Sequence, residues 1–417
     1  MPQVPIRSLL KVLTITLIMH VCSTGMRFTA TLDAINSGAS TFWVGAMLAS
    51  ISLGPMCFAI PSGRWLDRGG PRGPLAGARI GMMLAGSSVL LFPAAQYGIA
   101  SLFAAATLTG FSFMLTNVVV QRLTGDVSTP KTRQLAFTAL SLTTATSNLA
   151  SPVAAGYLIE HFSYAAVYMW ALGLPLLLSI VLLFPGMRRL LNTASRRRKK
   201  FLEADGQTNK ERSGSAMDFL KDPPMRAVLC ASVMISIAWE VGNLLIPVYA
   251  DSVGLSPSVV RFCTPILLRY VLEWHMIVLS LFLATLAFAV MPFTHNPYAL
   301  MAAAFLEGLG LGASLPNMMS LVYLFAPPHR IGEAIGLRIT ALNAGKSIFP
   351  LFAGFLGTLI GAGGSIWVLA ACTAGGFAYA ACAASEVLKR MRALRIDGEY
   401  AKKSVAGDPH DHQELHH

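Results

Sequence analysis

Eleven apolar segments, each close to the ~20 residues that cross ~30 Å of hydrocarbon, leave this chain almost no choice of solvent. They run over 9–32, 41–62, 75–95, 98–121, 134–158 and 163–184, and then over 226–250, 274–293, 297–326, 332–360 and 363–385. No water inside a bilayer can satisfy a free amide, so each segment is predicted to close its hydrogen bonds internally as a helix. The expected fold class is all-α, a polytopic membrane protein. Composition agrees: 54% hydrophobic and only 12% charged residues, with a mean hydropathy of +0.59, is too apolar for a soluble domain of this size.

The net charge of +12 could suggest a nucleic-acid partner. Its distribution argues otherwise, because the basic residues cluster in loops on one side of the apolar segments. Between the two sets lies 186–225, a polar linker carrying Arg188, Arg189, Arg196, Arg197, Arg198, Lys199, Lys200, Lys210 and Arg212. The opposite loops carry Asp33, Glu160, His161, Asp251 and His295, with no lysine or arginine. The positive-inside bias therefore makes the linker and both termini cytoplasmic, which requires an even number of crossings. The domain plan is a six-helix half over 1–185, the basic linker 186–225, a second half over 226–388 and a disordered cytoplasmic tail over 389–417. The first segment lacks a small-residue cleavage site and acts as its own signal. Six cysteines lie inside apolar runs without C-x-x-C spacing and read as packing residues.

Internal repetition tests the count of crossings. Gly38 and Val44 recur as Gly254 and Val260 at an offset of 216, whereas Gly110 recurs as Gly308, and Pro152 and Gly156 as Pro350 and Gly354, at an offset of 198. The second half is thus 18 residues short, and the loss falls on its second segment. From Leu255 to Arg269 there remain about 15 residues, or about 22 Å of straight helix, interrupted by Pro257, Arg261 and Pro265. The expectation is twelve helices in nominal terms, with the eighth a short, broken or re-entrant crossing.

Between the second and third segments stands Gly63-Arg64-Trp65-Leu66-Asp67-Arg68-Gly69-Gly70-Pro71-Arg72, a charged stretch confined to a water interface, where its glycines allow a tight reversal. The pattern G-x-x-x-D-R-x-G-x-R resembles the cytoplasmic loop signature of major facilitator superfamily transporters, on Gly63, Asp67, Arg68, Gly70 and Arg72. That resemblance implies a fold of two six-helix halves and secondary active transport by alternating access. It also implies that Asp67 caps and pairs with neighbouring helix ends and stabilises the outward-facing state. In the second half Arg261 and Arg269 stand where a degenerate copy would be, without an acid. Ser151-Pro152-Val153-Ala154-Ala155-Gly156 loosely resembles the exporter signature G-P-x-x-G-G, which points to efflux of a small organic solute by an antiporter. Pro152 with Gly156, and Pro350 with Gly354, mark helix bends. The basic residue that proton-coupled exporters of this family carry on the fourth helix is missing from Ala106–Phe111.

Ionisable residues inside hydrocarbon are costly and so are site candidates. Glu240 and Lys346 fall near mid-membrane, and Arg27 and Glu307 in the outer half, as candidates for cavity lining and proton coupling or for ion pairs between the halves. Asn117, Asn148, Asn317 and Asn343 can orient a polar solute or join helices, and Trp239 beside Glu240 is expected to face the cavity. The other tryptophans, Trp274 among them, read as interface anchors. The His-rich end of the tail reads as a solvated tail and not as a metal site. No nucleophile with a base, H-E-x-x-H or phosphate-binding loop is present, so neither an enzyme nor a cofactor is expected. The expected partners are a small-molecule substrate, protons and the bilayer, for a monomer in a bacterial inner membrane. The rival reading is a non-transporting or impaired relative, a remnant or ligand-binding receptor, favoured by the shortened eighth segment.

Overall fold

The computed structural model describes residues 6–39, 41–129, 132–204, 215–252, 273–293 and 296–405. Its regular secondary structure among these residues is helical throughout, without a strand. The first half contains α1 (Ile6–Asn36), α2 (Thr41–Gly69), α3 (Arg72–Leu91), the single turn α4 (Ala94–Tyr97), α5 (Ala100–Val127), α6 (Arg133–His161) and α7 (Tyr164–Val181). After α8 (Pro185–Ala204) and a 3₁₀ turn (Ala216–Leu220) come α9 (Pro223–Ser252), α10 (Glu273–Val290), α11 (Pro297–Phe325) and α12 (Ile331–Val405). The last is two helices in continuity, broken at Gly361, whose φ of 74° no helix interior adopts.

Seven helices among the described residues are long and apolar enough to cross a membrane on length and composition alone. α6 has 29 residues but is diluted by Ser, Thr and Asn. Many of these hydroxyls bond back to the preceding turn, as Thr143 does to Ala139 (2.9 Å) and Ser147 to Thr143 (2.8 Å), so a polar side chain is carried inside the bundle without a lost hydrogen bond. The eighth segment, 255–269, lies outside the described residues, and so does the His-rich end of the tail.

Within the first half, α1 packs on α5, α6 and α7, α3 on α5 and α7, and α2 on α5. In the second, α12 packs on α9 and α10, and α11 on α9 and α10. The halves meet chiefly where α2 lies along the first part of α12, and where α6 meets α11. That meeting is at the ends of the helices nearest the linker, here called the linker face. The expected disordered tail is corrected over its first part: α12 continues to Val405, because Leu388, Met391 and Leu394 turn an apolar stripe onto the core. The linker is likewise ordered over its first part. α8 lies against the α2–α3 turn, with the Arg72 guanidinium donating to Asn192 and Ser195 packed on Gly70. Trp274 is not an interface anchor, since it is fully buried and its indole N–H donates to the Ala380 carbonyl at 3.2 Å.

Candidate functional site

The charged stretch after the second segment is mostly helix. α2 runs on through Gly69, and the reversal is confined to Gly70, at φ 77°, and Pro71. The extra turns carry Asp67 under the N-terminus of α12. Its Oδ1 accepts from Gly332 N–H at 2.9 Å and its Oδ2 from Glu333 N–H at 2.8 Å. These are two of the amide groups that a helix start leaves unpaired, at the positive end of its dipole, and the carboxylate is the ligand they suit best. Asp67 is 5% exposed, so these charge-assisted bonds work with little competition from water.

This approach is possible only because both helices carry glycine at the crossing. A β-carbon on Gly332 would sit 2.5 Å from the Gly63 carbonyl oxygen and 2.9 Å from the Asp67 carboxylate. One on Gly63 would strike the Gly332 carbonyl in return, and one turn further Gly336 meets the Ala59 carbonyl. In each case the obstruction is backbone, which cannot rotate away.

Around this cap lies a ring of charge. Glu333, 2% exposed, accepts from Arg64 Nε at 2.9 Å and from Arg330 Nε at 2.7 Å, with Arg64 Nη2 at 2.7 Å. Arg122 of α5 sits between two acids, with Nε 3.2 Å from Asp126 Oδ2 and Nη1 3.7 Å from Asp67 Oδ1. The Tyr323 hydroxyl of α11 donates to Asp126 Oδ1 at 2.5 Å, and its ring receives the guanidinium of Arg133 at 4.6 Å. Gln134 of α6 donates to Asn317 of α11 at 2.8 Å. Arg330 also donates to the Ser215 carbonyl at 2.8 Å and lies 4.6 Å over the Phe219 ring, anchoring the end of the linker to the same face. The halves are therefore joined on the linker face by a clasp of polar groups set among the buried apolar residues of α2 and α12, Ala59, Leu66, Ile331 and Ile335 among them.

Of the expected loop residues, Gly63 and Asp67 are in the clasp, Gly70 and Arg72 hold the turn against α8, and Arg68 is exposed. Sequence reasoning missed Arg64, Arg122, Asp126, Tyr323, Arg330 and Glu333. Arg122 with Asp126 at i,i+4, and Arg330 with Glu333 at i,i+3, were visible as spacings at segment ends.

The other candidates are spread along the bundle. Glu307 is buried on α11 and makes no hydrogen bond or ion pair among the described residues. Arg27 of α1 is exposed within the structure. Glu240 and Trp239 belong to α9, and Lys346, Pro350 and Gly354 to α12, but their side chains lie outside the described residues. Asn148 accepts from the Thr24 hydroxyl at 3.1 Å, joining α6 to α1, while Asn117 and Asn343 donate back to Phe113 and Ile339 in their own helices. Pro152 lies inside α6; next to it the Ser151 hydroxyl donates to the Val21 carbonyl at 2.6 Å, and Gly156 faces open space. Two further ionisable side chains are buried in the bundle. His20 is buried against Phe113 with neither ring nitrogen hydrogen-bonded, and Arg338 is buried with its Nε 3.3 Å from the Ser232 hydroxyl.

Comparison with solved structures places this arrangement in a known fold. The proton:xylose symporter XylE bound to 6-bromo-6-deoxy-D-glucose superposes with a TM-score of 0.66 at 13% identity, covering 93% of this chain and 98% of that one. A bacterial homologue of the iron transporter ferroportin, in an outward-facing state, gives 0.66 at 14% identity over 92% and 98%. The human organic anion transporter MFSD10 gives 0.61 at 14% identity over 91% and 100%. No curated protein matches in sequence. The family description Major Facilitator Superfamily matches residues 13–268 and again 262–396, nearly the whole chain, and the chain therefore belongs to the major facilitator superfamily of membrane transporters.

Proposed function

We propose that this protein is a gradient-driven carrier that moves a small organic solute by rocking its two halves, 1–185 and 226–388, about a midplane cavity. The observation that carries the reading is the nature of the linker-face closure. Hydrogen bonds from two helix-end amides to Asp67, with the surrounding ion pairs, can be exchanged for water when the halves separate. The charge bias of the loops makes the linker face cytoplasmic, with both termini on that side, so the conformation described is outward-facing.

Proton coupling and export are the finer parts of the proposal. Glu307 supports the first, because a carboxylate buried without a partner in an apolar bundle is favoured to take up a proton and to release it when water reaches it. Glu240 is the second candidate proton carrier, and Arg27 and Lys346 supply charge of the other sign for a solute. The small-residue stretch Ser151–Gly156, packed by Ser151 onto α1, supports export. The likeness to structures described as a proton:xylose symporter and an organic anion transporter supports a small-solute carrier without choosing between sugars and anions. The carrier works as a monomer in a bacterial inner membrane.

The experiment is proton flux in proteoliposomes across a panel of drugs, sugars and organic acids. A substrate that drives lumenal pH change in the wild type, but not after Glu240→Gln and Glu307→Gln together, is the expected result. Transport that stays equally dependent on a pH gradient in that variant refutes coupling through these acids.

A further inference from the structure

A cavity of about 300 Å³ opens on the linker face of the first half, between the start of α1, the end of α5 and the stretch of α8 from Arg189 to Ala194. Ser8 and Lys11 line it from α1, Leu123 and Asp126 from α5, and Arg189 and Thr193 from α8. Its charge is unbalanced. Asp126 is the only carboxylate in the lining, and it is committed elsewhere: its Oδ1 accepts from Tyr323 at 2.5 Å and its Oδ2 from Arg122 Nε at 3.2 Å. Lys11 and Arg189 form no ion pair among the described residues.

The position of Lys11 sharpens the imbalance. Its Nζ lies 3.3 Å from the point where a β-carbon on Gly186 would stand, beside the first turn of α8. A helix begins with partial positive charge, so an ammonium there is repelled, and Arg189 adds a second full charge within one turn. The hydroxyls of Ser8 and Thr193 supply further donors. The half-buried Lys11 ammonium, the exposed Arg189 guanidinium and two hydroxyls, all lining one cavity, are complementary to a compact anion with several acceptor oxygens.

We propose that this cavity binds a phosphate group, carried either by the headgroup of an anionic lipid or by a soluble phosphate ester. Its occupant bridges α8 to α1 and α5. Because the cavity shares Asp126 with the clasp, occupancy also holds α5 in the arrangement that keeps the linker face closed.

The test uses the full chain and does not depend on transport. Native mass spectrometry from micelles mixing phosphatidylglycerol with phosphatidylcholine measures headgroup retention, and thermal unfolding in lipid-free detergent, titrated with inorganic phosphate against chloride at equal ionic strength, measures free phosphate. For a lipid occupant, the wild type retains phosphatidylglycerol selectively, and Lys11→Gln with Arg189→Gln lowers that retention roughly ten- to thirtyfold, the effect of two basic groups facing an anionic headgroup. The charge-matched pair Arg188→Gln with Lys389→Gln, exposed as Arg189 is but outside the cavity lining, leaves retention unchanged. For a soluble occupant, phosphate raises the unfolding temperature of the wild type and not of the Lys11/Arg189 variant, while lipid retention is the same in both. The proposal is overturned if neither readout separates the two proteins, or if the control pair loses as much as the test pair. Should the double glutamine variant not fold, the wild type alone decides: the absence of both a preference for phosphatidylglycerol and a stabilisation by phosphate beyond chloride refutes the site.

Discussion

Replacing Gly332 by alanine probes the clasp with the fewest side effects, since it changes no charge and removes no hydrogen-bonding group. The added β-carbon would lie 2.5 Å from the Gly63 carbonyl oxygen. Carbon and carbonyl oxygen tolerate an approach of about 3.3 Å, so α2 and α12 must part by about 0.8 Å. The Asp67 contacts to Gly332 and Glu333, now 2.9 and 2.8 Å, then stretch to about 3.7 Å and cease to be hydrogen bonds. Two charge-assisted bonds at about 1.5–3 kcal/mol each, partly replaced by water, leave a net loss of about 3 kcal/mol from the closed state. That is about a hundredfold shift of the closed-to-open ratio. Spin labels at Arg68 on α2 and at Lys221 beside the second half, in a chain freed of its six native cysteines, read the opening as a longer distance. The Gly63→Ala/Gly332→Ala double variant should shift the distribution little beyond either single change, because one separation relieves both overlaps. A well-folded Gly332→Ala protein with the wild-type distance distribution refutes the reasoning.

Asp67→Asn should open the same face without any steric change, since an amide keeps at most one acceptor for two amide donors and loses its attraction to Arg122; the same pair of labels checks it. Tyr323→Phe removes the donor to Asp126 but leaves the ring under Arg133, and should cost about 1–2 kcal/mol, read as a modest fall in thermal unfolding temperature. Gly125→Ala drives a β-carbon into the Tyr323 ring, which its hydroxyl bond pins in place, so the loss should exceed that of Tyr323→Phe and should be partly rescued by adding Tyr323→Ala. The carboxyl of Asp218 is held below its ordinary value of 3.8, first by the hydrogen bond from Lys221 and then by the charges of Lys221 and Arg330. A depressed carboxyl supports the folded arrangement above its unfolded value and loses that support as the pH falls through the lowered one. Protection of the 216–220 amides, taken relative to the intrinsic exchange rate at each pH, should thus hold at about pH 5 and fall progressively below 3.8, and Asp218→Asn should abolish the change.

Most of the scaffold was legible because the bilayer fixes length and hydrogen bonding at once. Segments of the right apolar length had to be helices, and the loop motif of Gly63 and Asp67 identified the part that carries the clasp. What failed to show was where helices stop. α2 runs past the apolar stretch because Arg64, Asp67 and Arg68 find partners or water at the interface, and α12 runs past Lys389 because Met391 still reaches the core. Asn317, read as solute-orienting or helix glue, hydrogen-bonds to Gln134 across the two halves, a pairing that no spacing announces.

The sequence by itself determined the solvent, the helical class, the two-half plan and the family, since hydropathy, charge bias and a local motif are properties of consecutive residues. Only the tertiary structure decided which groups meet. Asp67 and Glu333 are 266 residues apart, as are the carboxylate and the amide that complete each other. Their pairing depends on the close approach of two helices at Gly63 and Gly332. That approach is set by the packing of whole helices, so no run of neighbouring residues encodes it.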